Sequence, residues 1–206
     1  MNNNENSFKY GDFKTLYQAL FEASKKKEYS NFILNDPIEN FVYLKFLFDT
    51  VDEIDVFVEN VDYLVDTYNK AKSLVEDDKE RKSVLGDFWQ SFEKYMSKKY
   101  RLKVIYKNDH IKDRFKEQDL INKILFNSNF ETGLCIFELP YDLSIVDDLN
   151  FFLLVPKYKM VLTVQKMGNE TFHLCYFHNE DLYKNVKYIY DTFMNLGNPK
   201  SQKVTE

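Results

Sequence analysis

Between Glu53 and Leu196 the hydrophobic period switches repeatedly between two residues and about 3.6, and this constrains the fold more than any other feature. The stretch "EIDVFVEN" (53–60) sets Ile54, Val56 and Val58 against charged neighbours, the pattern of a half-buried strand. Val61, Leu64, Val65, Tyr68, Ala71 and Val75 then mark one helix face, and Leu85, Phe88, Trp89, Phe92, Tyr95 and Met96 mark a second. The polar "EDDKERK" (76–82) between them favours a helical hairpin over one long helix bent near Gly86. A strand at "LKVIY" (102–106), a polar helix through Ile121, Ile124 and Leu125, and a strand at "LCIFEL" (134–139) follow. Asp147 to Gln165 reads as two strands joined by Pro156-Lys157-Tyr158, and a turn at "KMGN" (166–169) leads into "TFHLCYF" (171–177). A last helix carries Leu182, Val186, Ile189 and Phe193, with Asn179 as its cap and Glu180 and Asp181 in its first turn. This order predicts an α/β protein whose mixed, largely parallel sheet is flanked by helices on both faces.

Two helices precede that core. Asp12 caps the first, which is striped by Phe13, Leu16, Tyr17, Leu20 and Phe21 and closed by Lys25 to Lys27. After the short apolar segment "NFIL", Asp36, Pro37 and Glu39 form a capping-box start. The helix beyond is apolar almost all round except at Lys45, so it is expected to be buried. Residues 1–206 are read as one domain: loose tails at 1–10 and 197–206, helices over 11–50, and an α/β core over 53–196 with a helical insertion at about 61–99.

Composition narrows the function classes. Five scattered glycines rule out a P-loop or a dinucleotide fingerprint. The N-terminus has no apolar leader core, and the longest apolar run, Phe41 to Phe48, is far short of the ~20 residues that span a bilayer. Cys135 and Cys175 lie in apolar strands and read as free thiols, which fits a cytoplasmic protein. Asp52 to Glu80 holds ten acidic and three basic residues, whereas Lys94 to Lys123 holds ten basic and four acidic. Solvated helix faces explain both runs; the sharper reading is a basic patch of Lys98, Lys99, Arg101, Lys103 and Lys107 that meets an acidic partner.

From about Glu53 to Leu196 the layout resembles one half of a phospholipase D-like domain. "EIDVFVEN", "LKVIY" and "GLCIFELP" resemble its successive core strands, "NFFLLVPKYKMVLTVQ" the strand pair bearing the family's HxK signature, and "HLCYFHNEDLYKNVKYIYDTF" its closing strand and helix. The resemblance implies a histidine nucleophile with a lysine holding phosphate oxygens. The matching strand instead reads Asn150-Phe151-Phe152-Leu153, and Tyr176-Phe177-His178 stands where a Gly-Ser segment is usual, leaving Asn179 as a remnant. A phenyl ring has neither nucleophile nor hydrogen-bond donor, so the resemblance implies a degenerate, inactive site. It also implies a homodimer, because such halves commonly pair.

Other residues are weighed against plainer roles. His173 and Cys175 share a strand face and could ligate a metal, but a packed thiol beside a hydrogen-bonded imidazole suits the pair better. His178 reads as a solvated cap-region histidine. Glu138, Asp142, Asp147 and Asp148 could hold Mg²⁺, or form a solvated acidic loop. Phe88, Trp89, Phe92, Tyr95 and Met96 are either core or, if exposed, a partner-binding surface. The expected function is therefore non-catalytic: a regulatory protein that binds another protein and needs no cofactor or membrane. The AT-rich codon set of its abundant Lys, Asn, Ile, Phe and Tyr points to a low-GC bacterium or its phage; an inhibitory or accessory role in defence or counter-defence is an expectation for a small protein of such a source, with no residue behind it. A metal-dependent nuclease or phosphoesterase using the acidic loop, and a nucleic-acid-binding module using the basic patch, are the alternatives, the net charge of −5 counting mildly against the second.

Overall fold

The computed structural model describes residues 13–34, 36–58, 61–75, 78–107, 134–139, 151–167, 170–196 and 198–199. Helix α1 (Phe13–Lys25) leads into strand β1 (Ser30–Leu34), and α2 (Pro37–Thr50) into β2 (Glu53–Val58). The hairpin α3 (Val61–Leu74) and α4 (Lys79–Ser97) precedes β3 (Arg101–Lys107), β4 (Leu134–Leu139) and β5 (Phe151–Val155). A single 3-10 turn at Pro156–Tyr158 joins β5 to β6 (Met160–Met167). Strand β7 (Glu170–Phe177), helix α5 (Glu180–Leu196) and the two-residue β8 (Asn198–Pro199) complete the order.

The strands form one sheet in the order β1-β7-β6-β5-β2-β3-β4-β8. Among the described residues only β2–β3 and β3–β4 pair in parallel. The other five pairings are antiparallel, so the expected largely parallel sheet is corrected to a mostly antiparallel one. For β5–β6 and β6–β7 the cause is connection length. Short turns between β5, β6 and β7 can only reverse the chain, and parallel pairing needs a longer crossover such as the α3–α4 hairpin between β2 and β3. The apolar "NFIL" is itself part of a strand, β1, which closes one edge against β7. The segment before Glu53 is thus not wholly helical.

Local signals position the helices. At α2 the Asp36 side chain accepts from the Ile38 N–H at 2.8 Å and Glu39 accepts from the Asp36 N–H at 3.1 Å, completing the capping box. Asp78 begins α4 by accepting from the Glu80 and Arg81 N–H groups. The helical hairpin therefore breaks ahead of Lys79, and Gly86 lies within α4, where an added methyl would meet nothing. Asp12 lies outside the described residues.

Helices pack on both sheet faces. On one side α1, α2 and α4 cover Leu34, Ile54, Val58, Leu102, Leu153, Leu162 and Phe177. On the other, Tyr183, Val186 and Tyr190 of α5 pack on Phe57, Ile105, Phe152, Leu154 and Val161. Among the described residues no helix is long and apolar enough to cross a membrane.

Candidate functional site

Strand β5 carries Phe151 and Phe152 in the middle of the sheet, between β2 and β6. Alternation sends the two rings to opposite faces, and both are buried. Phe152 stacks on Phe57 at 5.0 Å and meets Tyr190 edge-on at 6.2 Å. Phe151 belongs to the core beneath α2. Both positions are filled by packed hydrocarbon. The chain does hold one His-x-Lys triplet, His110-Ile111-Lys112, between β3 and β4 and outside the described residues.

Polar groups gather at the end of the sheet where β2, β3 and β6 begin. Lys157 donates to the Thr50 carbonyl at 2.6 Å, which ties the β5–β6 turn to the end of α2. Tyr158 packs into the core beside Phe46 and Phe177. The His178 N–H donates to the Tyr158 carbonyl at 3.0 Å, while His178 Nε2 is buried without a hydrogen-bond partner among the described residues. The oxygen of Asn179 accepts from the Leu182 N–H at 3.0 Å and caps α5, so this asparagine has a structural task.

Left-handed backbone is concentrated at this same end. Among the described residues the non-glycine positions with positive φ are Lys99 (58°), Lys159 (46°) and His178 (54°). They join α4 to β3, the 3-10 turn to β6, and β7 to α5. A side chain in this region costs roughly 1–2 kcal/mol relative to right-handed backbone, and glycine does not bear that cost.

Beneath α5 lies a charge network that sequence reasoning missed. Asp55 is fully buried, with Lys103 and Lys187 each 3.8 Å from its carboxylate. Burial pushes its carboxyl above the usual carboxylate range, opposed by the two ammonium groups. Glu53 pairs with Arg101 and lies 3.9 Å from Lys103. The signal was present in "EIDVF", where an acid shares a strand face with Phe57 and so faces the core.

The other candidates separate. Phe88, Phe92, Tyr95 and Met96 are buried and Trp89 is half-buried, packed among α2 and α3 residues such as Phe41, Phe48 and Tyr68. Of the two readings of the stripe, core or exposed partner surface, its burial favours the core. The almost wholly apolar α2 needs a helix on its outer side, and α4 supplies it. The basic patch divides: Lys98, Lys99 and Arg101 are exposed, Lys103 turns in toward Asp55, and the Lys107 side chain lies outside the described residues. The metal candidates Asp142, Asp147, Asp148 and the Glu138 side chain also lie outside them, and no group of three His, Cys, Asp or Glu gathers among those described. His173 and Cys175 are buried; burial lowers the imidazole to about 4 and raises the thiol well above its usual range. The Cys135 side chain is outside the described residues.

No protein-family model and no curated protein matches the chain. Among solved structures, Nuc from Salmonella typhimurium, a phospholipase D family member, aligns with a TM-score of 0.51 at 9% identity, over 85% of this chain and 100% of that one. NucT from Helicobacter pylori aligns with a TM-score of 0.45 at 9% identity, over 82% and 98%. TrmBL2, an archaeal chromatin protein with a novel mode of DNA binding, aligns with a TM-score of 0.47 at 11% identity over 90% of this chain, which spans 61% of that protein's chain. The likeness to Nuc gives this chain a phospholipase D-like fold.

Proposed function

We propose that this chain is a non-catalytic regulatory protein on a degenerate phospholipase D-like fold, acting by binding another macromolecule. The observation behind this reading is the packing of β5. Phe151 and Phe152 occupy the strand matched to the HxK strand, and their rings fill two cores instead of lining a cleft. Neither ring can attack phosphorus or hold a phosphate oxygen. The Asn179 side chain supports the same reading, since its oxygen is engaged in capping α5.

The test is turnover. Purified protein incubated with DNA, RNA and a generic phosphodiester, with Mg²⁺ or Mn²⁺ and then with chelator, is expected to release product no faster than buffer. Two controls locate any activity that does appear: His110→Ala addresses the one His-x-Lys triplet, and Asp147→Ala addresses the acidic loop. Hydrolysis abolished by either substitution overturns the proposal.

A further inference from the structure

We propose, resting on the non-catalytic reading above, that the end of the sheet where β2, β3 and β6 begin is a docking surface for the phosphate backbone of a nucleic acid. Two basic segments far apart in sequence meet there. Lys157 is fixed to the Thr50 carbonyl at 2.6 Å, and the Arg101 N–H is fixed to the Asp52 carbonyl at 2.8 Å. Thr50 and Asp52 are two residues apart, so at most ~7 Å of backbone separates the two anchors. The 156–159 turn and the 98–101 turn therefore flank one short connection.

The cations there are available in a way that Arg101 and Lys103 are not. Arg101 and Lys103 face Glu53 and Asp55. Lys98, Lys99, Lys157 and Lys159 are exposed, and none has a carboxylate partner among the described residues. Aromatic rings hold three of these ammonium groups: Lys98 lies 5.3 Å from the Tyr100 ring centre, Lys157 5.5 Å from Tyr158, and Lys159 5.0 Å from Tyr183. Lys99 and Lys159 also occupy left-handed positions that glycine would fill with less strain. Two turns at one end of the molecule thus keep a cation at a conformational cost.

The chemistry of the surface selects the partner class. A protein interface is built around a desolvated apolar centre. Here Tyr158 and Tyr183 are buried, and the aromatic stripe of α4 is inside the core. What the rim presents is clustered positive charge, which suffices for a phosphate backbone read without regard to sequence. Asp52 is the exposed carboxylate on the connection itself, and Glu180 and Asp181 bound the rim at the start of α5.

Fluorescence polarisation of the full chain with labelled duplex DNA, single-stranded DNA and RNA, across a salt series, tests the proposal. Four phosphate contacts predict a log K against log salt slope of about −3.6 on duplex DNA. The Lys98→Ala, Lys99→Ala double variant should lose about 1.8 of that slope, and Asp52→Asn should tighten binding. Circular dichroism establishes that each variant is folded. Absent or salt-independent binding, or an unchanged slope in the folded double variant, overturns the proposal. So does polyglutamate competing as well as a polynucleotide of equal charge, which would reassign the rim to an acidic protein. An oligonucleotide recovered intact but never bound removes this inference alone, whereas a cleaved one removes the non-catalytic reading as well.

Discussion

Lys187 of α5 and Asp55 of β2 face each other at 3.8 Å across the interface between helix and sheet, with Asp55 fully buried. A second ammonium, Lys103, approaches from β3 at the same distance, while Asp191 draws Lys187 from the solvent side. The apolar contacts of Tyr183, Val186 and Tyr190 hold α5 on the sheet, and the two ammonium groups offset only part of the cost of burying Asp55. That burial makes stability depend on pH in an unusual direction for an aspartate.

The folded carboxyl of Asp55 titrates above its unfolded value of 3.8, chiefly because burial disfavours the ion. Below 3.8 the group is protonated in both states, and its contribution to stability is fully present. As pH rises from there through the raised folded value, the unfolded chain releases the proton first and that contribution is lost. Urea midpoints of the wild type and Asp55→Asn, measured across this window, should diverge as pH increases, with the variant gaining relative to wild type. A constant difference would mean that Asp55 titrates as it does in the unfolded chain.

The aromatic stripe of α4 makes a second prediction. Phe92 is buried against Phe48 at 5.3 Å and Trp89 at 5.9 Å. Phe92→Ala should destabilise by about 3–5 kcal/mol, the range for deleting a buried aromatic ring. An exposed binding residue would change stability by no more than about 0.5 kcal/mol. Chemical denaturation separates the two outcomes directly.

These two sites show what the sequence made legible. Capping chemistry is local, so Asp36, Asp78 and Asn179 begin helices where the sequence places such residues. Burial depends on partners that lie elsewhere in the chain. Nothing within residues 85–96 says that α2 is apolar on its outer side, so core and surface remained open for that stripe. Strand direction is also set at a distance: the turns after β5 and β6 were readable, but the antiparallel pairing of β5 with β2 was not. Strand β1 reads Ser-Asn-Phe-Ile-Leu, two polar residues and then three apolar ones, so it lacks the alternation that marks a half-buried strand. Asp55 was passed over because its strand was taken to have one solvated face, a face that α5 in fact covers.

Arg81 joins the starts of two helices, and this is separable by a double-mutant cycle. Its Nη2 lies 2.9 Å from Asp36 Oδ2 and its Nε 3.4 Å from Asp78, with the side chains of Arg81 and Asp36 mostly shielded from water. Arg81→Ala should cost about 0.5–1 kcal/mol as a partly screened ion pair. Asp36→Ala should cost more, because about 1 kcal/mol of N-cap stabilisation is lost with it. The double variant should be less destabilised than the sum of the singles, the difference being the coupling energy. Strict additivity would remove the bridge as a stabilising contact.

At Lys99, stability and binding are expected to move in opposite directions. Its φ of 58° lies where glycine is unstrained, and its N–H donates to the Met96 carbonyl at 3.0 Å, an interaction glycine retains. Lys99→Gly should relieve about 1–2 kcal/mol of backbone strain, against about 0.4–1 kcal/mol of added freedom in the unfolded chain. The folded protein should therefore gain up to about 1.6 kcal/mol. The same change deletes one exposed cation from the basic rim, and the salt slope on duplex DNA should fall by about 0.9. A lysine retained only for turn geometry would give the first effect without the second. The pair of measurements, a urea midpoint and a salt series on one variant, therefore distinguishes a turn residue from a docking residue.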